Sequence, residues 1–183
     1  MLSVYSTERL KLTLAHPRLA PYVTDYFQRN KEFLSDTEPE REEAFYTKNY
    51  QKALLKADVE RFWAGSAVKF WLSRHDETRV IGMAAFSNIV MGAFRSCHVG
   101  YRLDREEVNK GLMTEALERS VKIAFEEIGL HRLEANILPR NKASLRVAEK
   151  LGFQNEGLAR KYLKVNGVWE DHIHMVLLNE NDD

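Results

Sequence analysis

The sequence predicts a mixed α+β fold in which helices pack on a central, mostly antiparallel twisted sheet of about seven strands. Three short apolar runs at 68–74, 80–89 and 94–103, broken by polar residues at 75–78 and by Met91-Gly92, read as antiparallel strands joined by hairpins. Met113, Leu117, Val121, Ala124 and Ile128 recur every three or four residues, with Glu115, Glu118, Arg119, Lys122 and Glu126 opposite, which is the pattern of an amphipathic helix. An Asn166-Gly167 turn between apolar segments 158–165 and 168–178 marks a closing hairpin.

The remaining elements follow in order. Residues 8–14 alternate loosely between charged and apolar and read as the first strand. Helical spacing covers 19–30 and 42–63, the second supported by Phe45, Tyr46, Tyr50, Ala53, Leu54 and Val59, with an irregular charged connection holding Pro39 between them. Gly129 stops the long helix. Residues 132–138 form a strand ended by Pro139, and Asn141 caps a shorter helix in which Ser144, Val147, Ala148 and Leu151 share a face before Gly152 ends it.

At 183 residues with 44% hydrophobic and 30% charged, the chain fits one domain spanning 1–183 with a sizeable core. The 27 Lys and Arg balance 27 Asp and Glu, so the net charge gives no reason to expect nucleic-acid or membrane partners. A single cysteine, Cys97, excludes an internal disulfide and a cysteine-based zinc site, and is expected to be buried. The first 14 residues lack a basic segment followed by an unbroken apolar stretch, and the apolar window 80–94 is interrupted by Gly82, Ser87, Asn88 and Gly92. The expectation is a soluble, cytoplasmic protein.

Chemistry concentrates where the strand ending at 103 runs through 105–110 into the long helix. A helix start offers unpaired N–H groups and the positive end of its dipole, so a loop carrying Lys110 and Gly111 can hold a diphosphate. Taken alone, the same string also fits an ordinary strand-to-helix turn.

Val108-Asn109-Lys110-Gly111-Leu112-Met113, followed by Glu115-Ala116-Leu117, resembles the phosphate-loop pattern Gln-Gly-Lys-Gly-Leu-Met, then Glu-Ala-Leu, of the GNAT acyltransferases. Asn141 with Ser144, and Leu151-Gly152-Phe153, are similar to the family's Asn-x-x-Ser and Leu-Gly-Phe elements. Thr7-Glu8-Arg9-Leu10 and Trp169-x-Asp171-His172 extend the likeness over most of the chain. Phe86-Ser87-Asn88, Gly100-Tyr101 and His131-Arg132 bring it nearest the RimJ branch of the RimJ and RimL type, enzymes that acetylate N-terminal amines of ribosomal proteins. Asn109 departs from the usual loop glycine; since Asn tolerates a left-handed backbone, the loop is expected to keep its shape with weakened or unchanged cofactor affinity.

The resemblance implies a GNAT fold with helices on both sheet faces and a strand around Val99, Gly100, Tyr101, Arg102 and Leu103 splayed from its parallel neighbour at 132–138. The pantetheine arm of acetyl-CoA would enter that gap like an added strand. Its diphosphate would meet Val108, Asn109, Lys110, Gly111, Leu112 and Met113. Lys110 adds charge there or is a solvated loop lysine. Ser144 would sit beside the sulfur and protonate the departing thiolate, or bond to its own backbone; Asn141 would orient the pantetheine amide while capping its helix. No metal is implied. The implied substrate is a ribosomal-protein N-terminus, with alanine first, and the chain a monomer or homodimer.

Phe33, Glu38, Phe86, Asn88 and Tyr162 are substrate-tunnel candidates by resemblance, or packing residues. Asp171 comes from the pattern itself: it shares strand parity with Trp169, Ile173, Met175 and Leu177, which puts a carboxylate on an apolar face. It binds the substrate amine, positions water or makes a structural hydrogen bond. Glu170, His172 and His174 alternate on the opposite face, the ordinary pattern of a polar outer surface. Residues 32–43 hold six acids against one base, and 139–164 seven bases against two acids, which suits a cationic amine at one end and an anionic cofactor at the other, or two solvated faces. No side-chain base stands out beside Asn141 and Ser144, leaving a water chain. The rival functions are acetylation of a small amine or antibiotic, and acyl-CoA binding without turnover in ribosome assembly.

Overall fold

Eight strands form one sheet in the order β1-β2-β3-β4-β5-β6-β8-β7 in the computed structural model, which describes residues 3–181. The strands are β1 (Val4–Ser6), β2 (Leu10–Leu14), β3 (Val68–Arg74), β4 (Val80–Val90), β5 (Ser96–Leu103), β6 (Arg132–Ile137), β7 (Gln154–Val165) and β8 (Val168–Leu178). Every neighbouring pair is antiparallel except β5 and β6. The eighth strand is β1, three residues paired with β2 and too short for a period-2 pattern to register.

The helices are α1 (Ala20–Arg29), α2 (Lys31–Ser35), α3 (Lys48–Trp63), α4 (Leu112–Lys122) and α5 (Lys142–Lys150). α2 lies in the connection expected to be irregular; it is one and a half turns that bury only Leu34. α3 begins at Thr47, whose hydroxyl accepts from the Tyr50 N–H, and it buries Gln51, Leu55 and Asp58, while Tyr50 stays exposed. Its inward stripe is partly polar, and apolar spacing alone therefore points to the wrong side. Gln51 donates to the Phe45 carbonyl at 2.6 Å and Asp58 accepts from Lys69 at 2.7 Å, so both buried groups are paired. α4 continues through a wider π turn over Ile123–Glu127 to Gly129, at φ +78°.

Two apolar clusters sit on opposite sheet faces. One joins Leu12, Phe70, Phe86, Cys97 and Leu133 to α4 and α5; the other joins Trp71 and Met83 to α1 and α3. Burial pushes the Cys97 thiol up to about 12, so it stays an inert thiol of the core.

On the α1–α3 face the helices cover β3 and β4, while β5, β6 and β8 present His98, Arg132, Glu134, Asn136 and His174, all between buried and fully exposed. Among the described residues no helix is long and apolar enough to cross a membrane.

Candidate active site

β5 and β6 pair in parallel at Ser96–Arg132, Cys97–Leu133 and His98–Glu134, and there the pairing stops. Beyond it β5 stays on β4, with Val99 opposite Phe86 and Leu103 opposite Gly82, while β6 stays on β8, with Ala135 opposite Met175 and Ile137 opposite Ile173. Gly82 helps hold β5 to its own side: a Cβ there would come within 2.6 Å of the Arg102 carbonyl. The facing edges of Val99–Leu103 and Ala135–Ile137 thus form a wedge lined by backbone groups free to take an extended ligand.

The wedge opens towards the β5–α4 loop. There Asn109 stands at φ +61° and Gly111 at φ +75°, two left-handed residues that turn the chain into α4. Asn109 keeps the backbone shape that a glycine would give, as expected. Gly111 is the N-cap and has no side chain to cap with, so the first N–H groups of α4 face outward while the Leu112 and Met113 side chains anchor the helix in the core. The Lys110 ammonium contacts Glu107 at 3.2 Å, and Glu107 also accepts from Arg74 at 2.7 Å, so Lys110 is part of the loop's bracing. Val108 precedes the turn in extended backbone.

Arg9 braces the same loop, with its guanidinium donating to the Lys110 carbonyl at 3.0 Å and pairing with Glu115 at 2.6 Å. Glu115 also accepts from the Thr7 hydroxyl and the Arg9 N–H, which ties the β1–β2 turn to the first turn of α4. Burial pushes the Glu115 carboxyl up, but the hydrogen bonds from Thr7 and Arg9 outweigh it and hold the group below its ordinary range. An open cavity of about 550 Å³ lies here, lined by Arg9, Gly111, Thr114, Arg119, Lys122 and Lys150 among others.

On the core side of the wedge the Tyr101 hydroxyl donates to the Ser144 carbonyl at 2.8 Å and locks the first turn of α5 against β5. Burial pushes the Tyr101 phenol up to about 12, so it remains a donor. Asn141 caps α5 by accepting from the Ser144 N–H at 3.1 Å. Ser144, Asn141 and the open edge of β5 therefore come together. Glu38, in the loop after α2, lies on the other face of β5, paired with Arg102 at 2.7 Å. Arg102 is thereby committed to a loop contact, and the acidic run 32–43 is partly neutralised, since Glu43 also pairs with Lys31.

The loop after α2 reaches across the wedge mouth. Arg140 donates to the Asp36 carbonyl at 3.2 Å and pairs with Glu170, and Asn166 in the β7–β8 turn donates to the Ser35 carbonyl at 2.6 Å. A cavity of about 220 Å³ between Phe27, Leu34, Glu38, Phe45 and Asn166 lies under this bridge.

Asn88 and Tyr162 are tied to β5 and β6 at the inner end of the wedge. Asn88, at φ +52° in a β4 bulge, donates to the His98 ring at 3.1 Å, and the Tyr162 hydroxyl accepts from Asn136 at 3.1 Å. Phe33 is exposed on α2, and Phe86 is fully buried in the α4–α5 core, so the structure does not bring these two together with the others. Asp171 accepts the Lys161 N–H at 2.8 Å and closes a β7 bulge in which Lys161 has φ +47°. Its expected apolar neighbour Trp169 is 57% exposed, because the hairpin extends past the core. His172 is buried against the Tyr162 ring, whereas Glu170 and His174 are only partly covered. Among the described residues no group of three or more His, Cys, Asp or Glu is arranged to hold a metal.

Sequence reasoning read His174 as part of a polar outer surface and did not bring it together with the cluster of His98, Glu134 and Asn136. Its one local signal is the alternation Arg132, Glu134, Asn136 against Leu133, Ala135, Ile137, which marks β6 as a strand with one polar face.

Residues 11–154 match the Acetyltransferase (GNAT) domain family. The chain is 39% identical to the [ribosomal protein uS5]-alanine N-acetyltransferase of Escherichia coli (strain K12) over 168 residues, covering 92% of this chain and 87% of that protein. It superimposes on the ribosomal-protein-S5-alanine acetyltransferase of Vibrio fischeri with a TM-score of 0.94 at 36% identity, covering 99% of each chain. Mycobacterium smegmatis RimJ in complex with CoA-disulfide aligns with a TM-score of 0.89 at 25% identity over 94% of this chain and 83% of that one. With a parted parallel pair, a left-handed loop at the start of α4 and these relatives across nearly its whole length, the chain belongs to the GNAT acetyltransferase family, close to the ribosomal-protein-alanine N-acetyltransferases.

Proposed function

We propose that the protein transfers the acetyl group of acetyl-CoA to the N-terminal α-amine of a protein, a ribosomal protein beginning with alanine, by direct attack within a ternary complex. The observation that carries this reading is the unpaired edge of β5 from Val99 to Leu103, which leads straight to the outward N–H groups of α4. The residues fit the co-substrate: Val99, Gly100, Tyr101, Arg102 and Leu103 supply backbone partners for the pantetheine amides, and Val108 to Met113 surround the diphosphate position. The bound CoA of the mycobacterial RimJ supports the same use of this fold.

The amine adds to the thioester carbonyl while a β5 backbone N–H steadies the oxyanion, and Ser144 gives a proton to the departing thiolate. Asn141 fixes that serine by capping its helix. Glu38, Asn88, Tyr162 and Asp171 are the substrate-side groups of this proposal; Phe33 and Phe86 have weaker support, one exposed on α2 and the other sealed in the core. An α-amine suits the site better than lysine: with ordinary pKa values near 7.8 and 10.4, presenting neutral lysine costs about 3.5 kcal/mol more.

Thiol release from acetyl-CoA with peptides beginning Ala, Ser or Met tests this. Turnover of the Ala-starting peptide, with mass spectrometry locating the acetyl group on its first amine, is the expected result. Turnover of polyamines or aminoglycosides alone would reassign the substrate, and tight CoA binding without turnover of any amine would remove the enzymatic reading.

A further inference from the structure

A further cavity, of about 130 Å³, lies on the α1–α3 face of the sheet, between α3 and strands β3 to β5. Phe27, Phe45, Leu54 and Leu55 wall it, and its floor is one rung of the sheet, in which Trp71 pairs with Met83 and Met83 with Arg102. Trp71 is 4% exposed, and its indole N–H has no hydrogen-bond partner. The buried hydroxyl of Tyr26, whose ring stands edge-on to Trp71 at 6.0 Å, has none either. A buried donor without an acceptor is costly, so this floor favours a ligand that brings one. The charge around the cavity is uneven. Arg102 and Arg41 share Glu38, at 2.7 and 4.0 Å, and Lys69 and Arg61 share Asp58, at 2.7 and 3.3 Å. Of these, Arg41, Lys69 and Arg102 line the cavity with only Asp58 against them. An apolar slot with a donor at its floor and excess positive charge at its rim suits a side chain with a short apolar stem and an anionic end.

The sheet register puts this slot within reach of the reacting end of the wedge. Pairing of β5 with β6 ends at His98, so a thioester at the inner end lies beside Val99 and Gly100. Val99 and Tyr101 pack into the α4–α5 core, which closes that side, while Gly100 and Arg102 face the other way. An amine therefore comes over Gly100, which is exposed and has open space above it. The rung Gly100–Ala85–Lys69 leads from there across the sheet, and its three residues are exposed or half-buried. Trp71 lies two strands over and two residues along, about 12 Å from Gly100 at about 4.8 Å per strand and about 3.3 Å per residue. In an extended peptide the third Cα stands about 7 Å from the first amine, and a glutamate side chain adds about 5 Å.

We propose that this cavity is a subsite for an acidic side chain, glutamate above all, on the third residue of the substrate polypeptide, with Trp71 and Arg41 as specificity-determining residues; this rests on the acetyl-transfer reading above. The carboxylate accepts from the Trp71 N–H and lies among Lys69, Arg102 and Arg41, while its methylenes pack against Leu55 and Met83. Glutamine in its place keeps the acceptor and loses the charge. Leucine fills the space and leaves the indole N–H without a partner. Lysine adds a cation where cations are already in excess.

The test measures thiol release from acetyl-CoA with peptides that begin Ala-Ser, carry Glu, Gln, Leu or Lys third, and share one neutral tail. We expect kcat/KM to be highest for Glu, about 10-fold over Gln and about 100-fold over Lys, with the difference mainly in the peptide KM. Raising salt from about 0.05 M to about 0.5 M should narrow the gap between Glu and Gln and leave that between Gln and Leu in place. W71F keeps an aromatic ring and removes the donor, and should cut the Gln-over-Leu preference to within about 2-fold. R41Q should cut the Glu-over-Gln preference to about 3-fold, and because Arg41 is exposed this variant serves even where W71F does not fold. Equal rates for Glu and Gln, a preference for Leu or Lys, or a Glu preference that neither folded variant alters overturns the subsite alone. So does turnover of other Ala-starting peptides but none of these. Wild-type protein that acetylates no amine overturns both readings together.

Discussion

Ser144 shows how one residue can belong to the scaffold and the chemistry by different atoms. Its N–H is capped by Asn141 and its carbonyl is taken by Tyr101, so the backbone is fixed twice; among the described residues none bonds to its hydroxyl. The side chain is therefore free to serve the leaving sulfur, and Ser144→Ala removes only that. Turnover should fall about 10- to 100-fold while the acetyl-CoA dissociation constant moves less than about 2-fold; equal changes in both would end the proposed acid role. The spacing of Asn141 and Ser144 and the family likeness make this residue visible in the sequence. The relation of Asn88 to His98, or of Glu134 to His174, is not visible there. His98 and Glu134 are 36 positions apart, and only the parallel pairing of β5 with β6 makes them neighbours.

At the scale of an element, the β5–α4 loop and α4 are readable because local rules decide them. A strong apolar stripe, a glycine N-cap and a terminating Gly129 all lie within one stretch of chain. By contrast β7 begins at Gln154, four residues before the apolar run at 158, because its first residues are exposed and pair with β8 through backbone alone. α3 hides Gln51 and Asp58, whose burial depends on partners in other elements. The loop also yields a prediction of its own. Asn109 pays a left-handed strain that glycine would not, so Asn109→Gly should be neutral or stabilising by up to about 1 kcal/mol and should keep or tighten CoA binding. Asn109→Val cannot adopt φ +61° without a cost of about 2 kcal/mol, and calorimetric titration with CoA should show weaker binding as the α4 N–H groups lose alignment. Equal affinity in the Gly and Val variants would remove the loop from the cofactor site.

Across the whole molecule, the wedge depends on holding two halves of a sheet apart, and buried or half-buried carboxylates do much of the holding. Asp104, 1% exposed at the end of β5, pairs with Arg29 of α1 at 2.7 Å and Arg79 at 3.3 Å, and accepts from the Glu106 N–H. Glu107 pairs with Arg74, and Glu115 with Arg9, so three anions clamp α1, the β3–β4 connection and the β1–β2 turn around the same loop. Burial pushes each of these carboxyls up, and hydrogen bonds from backbone N–H, Thr7 and the paired cations outweigh it, leaving all three lowered. A lowered folded-state pKa means that the unfolded chain binds protons first. Stability from these groups is therefore complete above the ordinary carboxyl range near pH 4 and is lost as pH falls through their folded values below it. The melting temperature should be flat with respect to these groups above about pH 5 and drop steeply below about pH 4. Asp104→Ala should cost about 3 kcal/mol at neutral pH, the lower end for a broken buried pair because Arg29 and Arg79 still reach water, and it should flatten the acid drop by removing one proton uptake. Denaturant titrations of both proteins at pH 7 and about pH 3.5 measure this directly. If the difference between them is the same at both values, Asp104 is not an anion that holds the wedge.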